Sequence, residues 1–154
     1  MMNPKSTLSI AGHPIHPMLI PFPVAFFVST LVSDIAYSIT TNPFWSAASN
    51  WMLGVGLVMA ALAALAGLTD FLGDDRIRSL RDAWLHMTGN IILVLIEAFN
   101  LWRRTIDGPD FIVPTGLVLS FIAAAVLVFN GWKGWKLVYQ HRVGIKEEPG
   151  NTPR

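Results

Sequence analysis

Apolar residues fall in four long runs separated by short polar breaks. The runs extend from about Met18 to Thr40, Trp51 to Leu72, Leu85 to Trp102 and Ile112 to Trp132. Each approaches the roughly 20 residues that an α-helix needs to cross a hydrocarbon core. The breaks are Asn42–Pro43, Gly73–Asp74–Asp75–Arg76 and Asp107–Gly108–Pro109–Asp110. Those residue types favour turns because they supply left-handed backbone, a fixed φ or a local side-chain acceptor. The pattern predicts an all-α, integral membrane four-helix bundle. It divides the chain into an N-terminal His-Pro segment (1–17), a four-span domain (18–141) and a polar tail (142–154). The first apolar run is too long for a signal h-region and no small-x-small site follows it, so it reads as a retained span.

Composition sharpens this reading. Hydrophobic residues make up 53% of the chain and charged residues only 14%, against roughly 25% charged in an ordinary soluble domain. Mean hydropathy is +0.49. A net charge of +1 offers no basic field for nucleic acid. The absence of cysteine removes disulfides, thiolate metal sites and thiol nucleophiles.

Four spans place both termini and the loop between spans two and three on one side. That side collects every lysine and arginine except Arg103 and Arg104. The positive-inside rule makes it cytoplasmic. Trp84, Trp132, Trp135 and Tyr139 fall at this interface, and Trp45, Trp51 and Trp102 at the other, as aromatic belts do. In span two, Gly56, Ala60 and Ala64 form a small-xxx-small face, suited to close helix packing within the bundle or to a homo-oligomer contact.

With this topology the four histidines, His13, His16, His86 and His141, all lie toward the cytoplasmic half. His13 and His16 each precede a proline, which disfavours helix at both. A β-turn with Pro14 at its second position brings the two rings toward one point. Pro21 or Pro23 then marks the start of span one, and the other leaves a kink with a free carbonyl. His86, Asn90 and Glu97 share a face of span three, and such polar groups face the protein interior. Asp70 stands at the same end of span two. One reading of the cluster is a cofactor site. His86 with His13 or His16 would ligate haem b, or His13, His16 and His86 a divalent metal, with Asp70 and Asn90 orienting the rings. The plainer reading is a set of interfacial hydrogen-bonding side chains. His141 joins only if the chain bends after span four.

Asp34 and Glu97 lie at matching depths near the opposite end. Two carboxyls there would share a proton, as a relay or cation site, or each would bond a neighbour such as Ser33, Ser38, Asn100 or Arg103. Span four, largely apolar apart from Ser120 and Asn130, is expected to add little to either site.

Three blocks resemble one bacterial family of predicted inner-membrane proteins, domain-of-unknown-function family 2231. They are Gly12–His13–Pro14–Ile15–His16–Pro17 followed by Pro21–Phe22–Pro23, then Gly67–Leu68–Thr69–Asp70 with His86 and Asn90, and then Gly131 to Gly144 ending Leu137–Val138–Tyr139–Gln140–His141–Arg142–Val143–Gly144. The resemblance covers nearly the whole chain and implies a four-helix membrane domain. Some relatives look fused to Rieske-type iron–sulfur domains, which implies electron transfer with a redox-protein partner. The family's glycine-rich stretch before the last histidine is here Trp132–Lys133–Gly134–Trp135–Lys136. Those bulkier residues argue against close approach of the final helix.

No nucleophile–base set, phosphate loop or helical zinc-protease spacing is present, so the sequence points away from an enzyme. Three functions remain in order: a haem- or metal-binding electron-transfer module, a non-catalytic scaffold or accessory subunit, and proton or solute transport through Asp34 and Glu97.

Overall fold

A computed structural model describes residues 3–145 of the chain. The end of the polar tail, including Lys146 and Arg154, lies outside the described residues.

The chain opens with a hairpin of two short strands, β1 (Ser9–Ile10) and β2 (His13–Pro14), paired antiparallel. Its two-residue turn is Ala11–Gly12, both at positive φ (51° and 78°), the type I′ geometry that matches strand twist. The turn therefore precedes His13 and is not centred on Pro14. A short helix, α1 (Ile15–Leu19), contains His16 despite the proline after it. Pro17 falls in the first turn, where no intrahelical donor is lost. Pro21 and Pro23 both lie in the first turn of α2 (Pro21–Thr40).

Helix α3 (Pro43–Gly73) begins well before its apolar run. Asn42 caps it, its side chain accepting from the Phe44 N–H at 3.0 Å, with Pro43 pre-set at the first helical position. A four-residue helix, α4 (Asp75–Arg78), leads to α5 (Arg81–Asp107). Gly108, at φ 68°, stops α5 and returns its N–H to the Arg104 carbonyl. Helix α6 (Leu117–Trp135) then runs back and ends in a wide turn over Lys136–Gln140.

Among the described residues, three helical stretches are long and apolar enough to cross a membrane: Ile15–Thr40, Pro43–Gly73 and the 60 residues Arg81–Gln140. The last would extend about 90 Å if straight. It is folded double, because Asp82 meets Lys133, Asn90 meets Asn130 and Asn100 meets Ser120. The four long helices close a ring in which α2 touches α3 and α6, and α5 touches the same two.

The ring is inside-out relative to a soluble bundle. Val58, Leu95 and Val128 are 61%, 63% and 75% exposed, a belt that only lipid covers without penalty. The centre holds a small apolar layer of Phe27, Leu53, Ala60, Leu93 and Ala123. Gly56 and Ala60 face this layer, whereas Ala64 is exposed. A Cβ on Gly56 would stand 2.8 Å from the Phe27 ring. The expected small-residue face is thus taken up by α2, and Gly56 and Ala60 are not open to a second copy. Polar clusters lie on either side of the apolar layer.

Candidate functional site: a histidine pair and a buried ionic knot

The histidine end is built by α1, α3, α5 and α6. The imidazole of His16 lies against α3, where its Nδ1 meets the Ala63 carbonyl at 2.7 Å. One turn on, Gly67 makes room for the ring; a Cβ there would stand 2.8 Å from Cε1 and Nδ1. His86, on α5, is seated in a corresponding way on α6. Its Nδ1 meets the Asn130 carbonyl at 3.1 Å, and Gly134 faces its ring, with a would-be Cβ 3.2 Å from Cε1. A carbonyl only accepts, so each Nδ1 carries the hydrogen and each Nε2 of the neutral ring keeps its lone pair. Asn90 Nδ2 donates to Nε2 of His86 at 3.1 Å, and Asn130 Nδ2 donates to Asn90 Oδ1 at 3.1 Å. The two ring centres are 6.3 Å apart with their planes at 84°.

The other candidates fall elsewhere at this end. His13 is exposed in β2 and does not converge on His16. The wide turn after α6 does bend the chain back, and Nε2 of His141 reaches Asp82 at 3.2 Å. Lys133 takes the other Asp82 oxygen at 2.8 Å. Asp70 does not orient a histidine. It accepts from the Ser6 hydroxyl and from the N–H groups of Thr7 and Leu8, at 2.7–3.0 Å. Asp74, one turn further, accepts from the Lys5 N–H at 3.1 Å. The two aspartates pin residues 5–8 across the end of the bundle. A hydrogen bond from Arg76 is the main reason the Asp74 carboxyl is held well below the usual carboxylate range, with backbone donors from Arg76 and Lys5 adding to it. Close approach of α6, which the bulky Trp132–Lys136 stretch argued against, is achieved at Gly134.

The second cluster lies beyond the apolar layer and joins all four long helices. Arg104 of α5 points inward with its side chain fully buried, onto an equally buried Asp34 of α2. Nη2–Oδ2 is 2.7 Å and Nη1–Oδ1 is 3.0 Å, a two-point charge-assisted pair. Ser49 of α3 donates to Oδ1 at 2.5 Å and Ser120 of α6 to Oδ2 at 2.7 Å. Nε of Arg104 donates to Asn100 Oδ1 at 2.9 Å, and Asn100 Nδ2 donates to Glu97 Oε2 at 3.1 Å. Glu97 Oε1 has no partner among the described residues.

Two sequence expectations change here. Arg103 is not the partner of the carboxyls; it pairs with Asp107 at 2.5 Å and lies over the Phe111 ring, while Arg104 enters the bundle. Helix α6 is also no bystander, since Ser120 and Asn130 serve one cluster each. Their signal was readable: a lone polar residue in an apolar span is costly unless it faces a partner. Arg104 also had a signal, because Glu97, Asn100 and Arg104 recur at helical spacing.

Over residues 12–147 the chain matches the family described as predicted membrane protein DUF2231. The chain belongs to the DUF2231 family. The matched region begins at Gly12, just before His13, and runs past His141, so it contains both polar clusters of this DUF2231 chain. Neither a curated protein nor a solved structure matches it. Among the described residues no group of three or more His, Cys, Asp or Glu side chains is placed to hold a metal ion. Of the histidines proposed as joint metal ligands, only His16 and His86 come together.

Proposed function

We propose that this DUF2231 protein is a membrane electron-transfer module that holds haem b between His16 and His86. The observation that carries the reading is the seating of the two rings. Each Nδ1 is committed to a backbone carbonyl, an outer contact that fixes the tautomer and orients a ligating imidazole. The two rings are neighbours, their centres 6.3 Å apart with planes at 84°, so two imidazoles from different helices reach one locality. Haem suits the donor set better than a bare divalent ion, because the porphyrin supplies four nitrogens and asks two ligands of the protein. Bound haem would supply one-electron exchange. The chain's own residues would hold the group through His16 and His86, with the Ala63 and Asn130 carbonyls orienting the two rings.

In this reading the protein crosses a bacterial inner membrane four times with the histidine end cytoplasmic. Burial of Arg104 supports that orientation, since Arg103 alone then remains on the opposite rim, already paired with Asp107. The partner would be a redox protein in or on the same membrane.

The test is an optical spectrum of the full chain purified after expression with haem supply, with iron analysis on the same sample. A Soret band with low-spin, two-imidazole character is expected, lost in His16→Ala and His86→Ala and kept in His13→Ala and His141→Ala. A colourless, iron-free protein would reduce the pair to an edge-to-face ring contact and leave the accessory-subunit reading.

A further inference from the structure

Charge does not balance in the buried ionic knot. It contains one guanidinium, Arg104, and two carboxyls, Asp34 and Glu97. Both guanidinium contacts to a carboxylate go to Asp34, which also accepts from Ser49 and Ser120. Asp34 is thereby furnished as an anion with its lone pairs occupied. Glu97 is equally inaccessible, with no exposed surface, yet it receives a single neutral donor, Asn100 Nδ2, on Oε2. Its Oε1 is unpartnered among the described residues. The groups acting on it are Asn100 and Arg104 on its own helix and Asp34 on α2; of these Asp34 and Arg104 are charged and cancel each other. An ionised carboxylate so placed would be a second anion beside Asp34 with no cation of its own, and a group in that position takes up a proton instead.

We propose that Glu97 is a proton-binding site in the membrane core, carrying its proton on Oε1 at neutral pH while Asp34 stays ionised. This placement leaves Oε2 as the acceptor that Asn100 already uses. The Asp34–Arg104 pair holds Glu97 in this state, because an unpaired Arg104 would draw Glu97 into its place. The site stands apart from the histidine pair, across the apolar layer, and the inference does not rest on haem binding.

The experiment is infrared difference spectroscopy of the full chain in lipid nanodiscs at neutral pH, wild type against Glu97→Gln. The expected difference is loss of one protonated-acid carbonyl band with the ionised-carboxylate bands unchanged. Loss of ionised-carboxylate intensity instead would overturn the proposal. In Asp34→Asn the acid band should vanish while Glu97 contributes a carboxylate band; an acid band that persists in a folded variant would overturn the pairing argument. Glutamine mimics the neutral acid in shape, so the first comparison stands even if Asp34→Asn does not fold.

Discussion

Arg104 and Asp34 meet in a two-point ion pair with both side chains sealed from the surface, at 2.7 and 3.0 Å. They come from helices far apart in sequence, and the hydroxyls of Ser49 and Ser120 bring the remaining two helices onto the same carboxylate. The pair thus ties the whole ring at one depth. In hydrocarbon a charged side chain is tolerated when it faces inward and is matched, and this one is matched at each of its three guanidinium nitrogens.

Breaking the pair from one side should be severe. Arg104→Met leaves the buried Asp34 charge without its partner, which costs about 3–5 kcal/mol; Asp34→Asn should cost less, because Glu97 takes over as the anion beside Arg104. Replacing both together should be much milder than the sum of the single changes, because no orphan charge remains. Thermal or denaturant unfolding in detergent micelles reads this directly. Additive effects would show that the pair is not coupled as described.

The glycines that seat the two imidazoles should differ in sensitivity. Gly67→Ala puts a methyl carbon 2.8 Å from the His16 ring, and Gly134→Ala puts one 3.2 Å from His86. The first must push the ring from the Ala63 carbonyl, while the second asks for a shift of a few tenths of an ångström. Loss of one hydrogen bond is worth about 0.5–1.5 kcal/mol, so Gly67→Ala should be the more destabilising in a melting comparison. If haem is held as proposed, it should also perturb the spectrum more.

Gly56 tests whether the small face of α3 packs inside the bundle. Gly56→Leu drives a side chain into the Phe27 ring, 2.8 Å from the first added carbon, and overpacking of this kind costs about 1–3 kcal/mol. The expected outcome is a less stable protein at unchanged oligomeric state. A variant that stays stable and loses self-association in light scattering would place the face between copies.

Acid should loosen the N-terminal strap through Asp74. Its carboxyl is held below the usual value in the folded protein, so its contribution is fully present above the unfolded pKa of about 3.9. That contribution is lost as pH falls through the lowered folded value. Hydrogen exchange at the Lys5 amide, which donates to Asp74 Oδ2, should accelerate below about pH 4. In Asp74→Asn the amide should exchange faster at neutral pH and lose most of that acid dependence.

Much of the architecture was legible because a bilayer imposes a strict length and composition on any helix that crosses it. The four apolar runs, the Pro and Gly breaks between them and the inward stripe His86–Asn90–Glu97 follow from periodicity and from the cost of exposed polar groups in lipid. Helix ends were less legible. α3 starts at Pro43 because Asn42 caps it and Asp34 offers Ser49 a partner inside the bundle, so polarity near its N-terminus did not mark a loop.

Sequence by itself determined that this is a helical membrane protein, which residues are too polar to face lipid, and that the imidazoles lie toward one end. The tertiary structure alone decided the partnerships. It set His16 with His86 and left His13 outside, gave Asp70 to the strap, and chose Arg104 over its neighbour Arg103 to meet Asp34. The reason is rotational. Adjacent helical residues point about 100° apart, so which of two arginines turns inward depends on how α5 is rotated against α2, α3 and α6. That rotation is settled by long-range packing, through contacts such as Gly134 on His86 and Ser120 on Asp34.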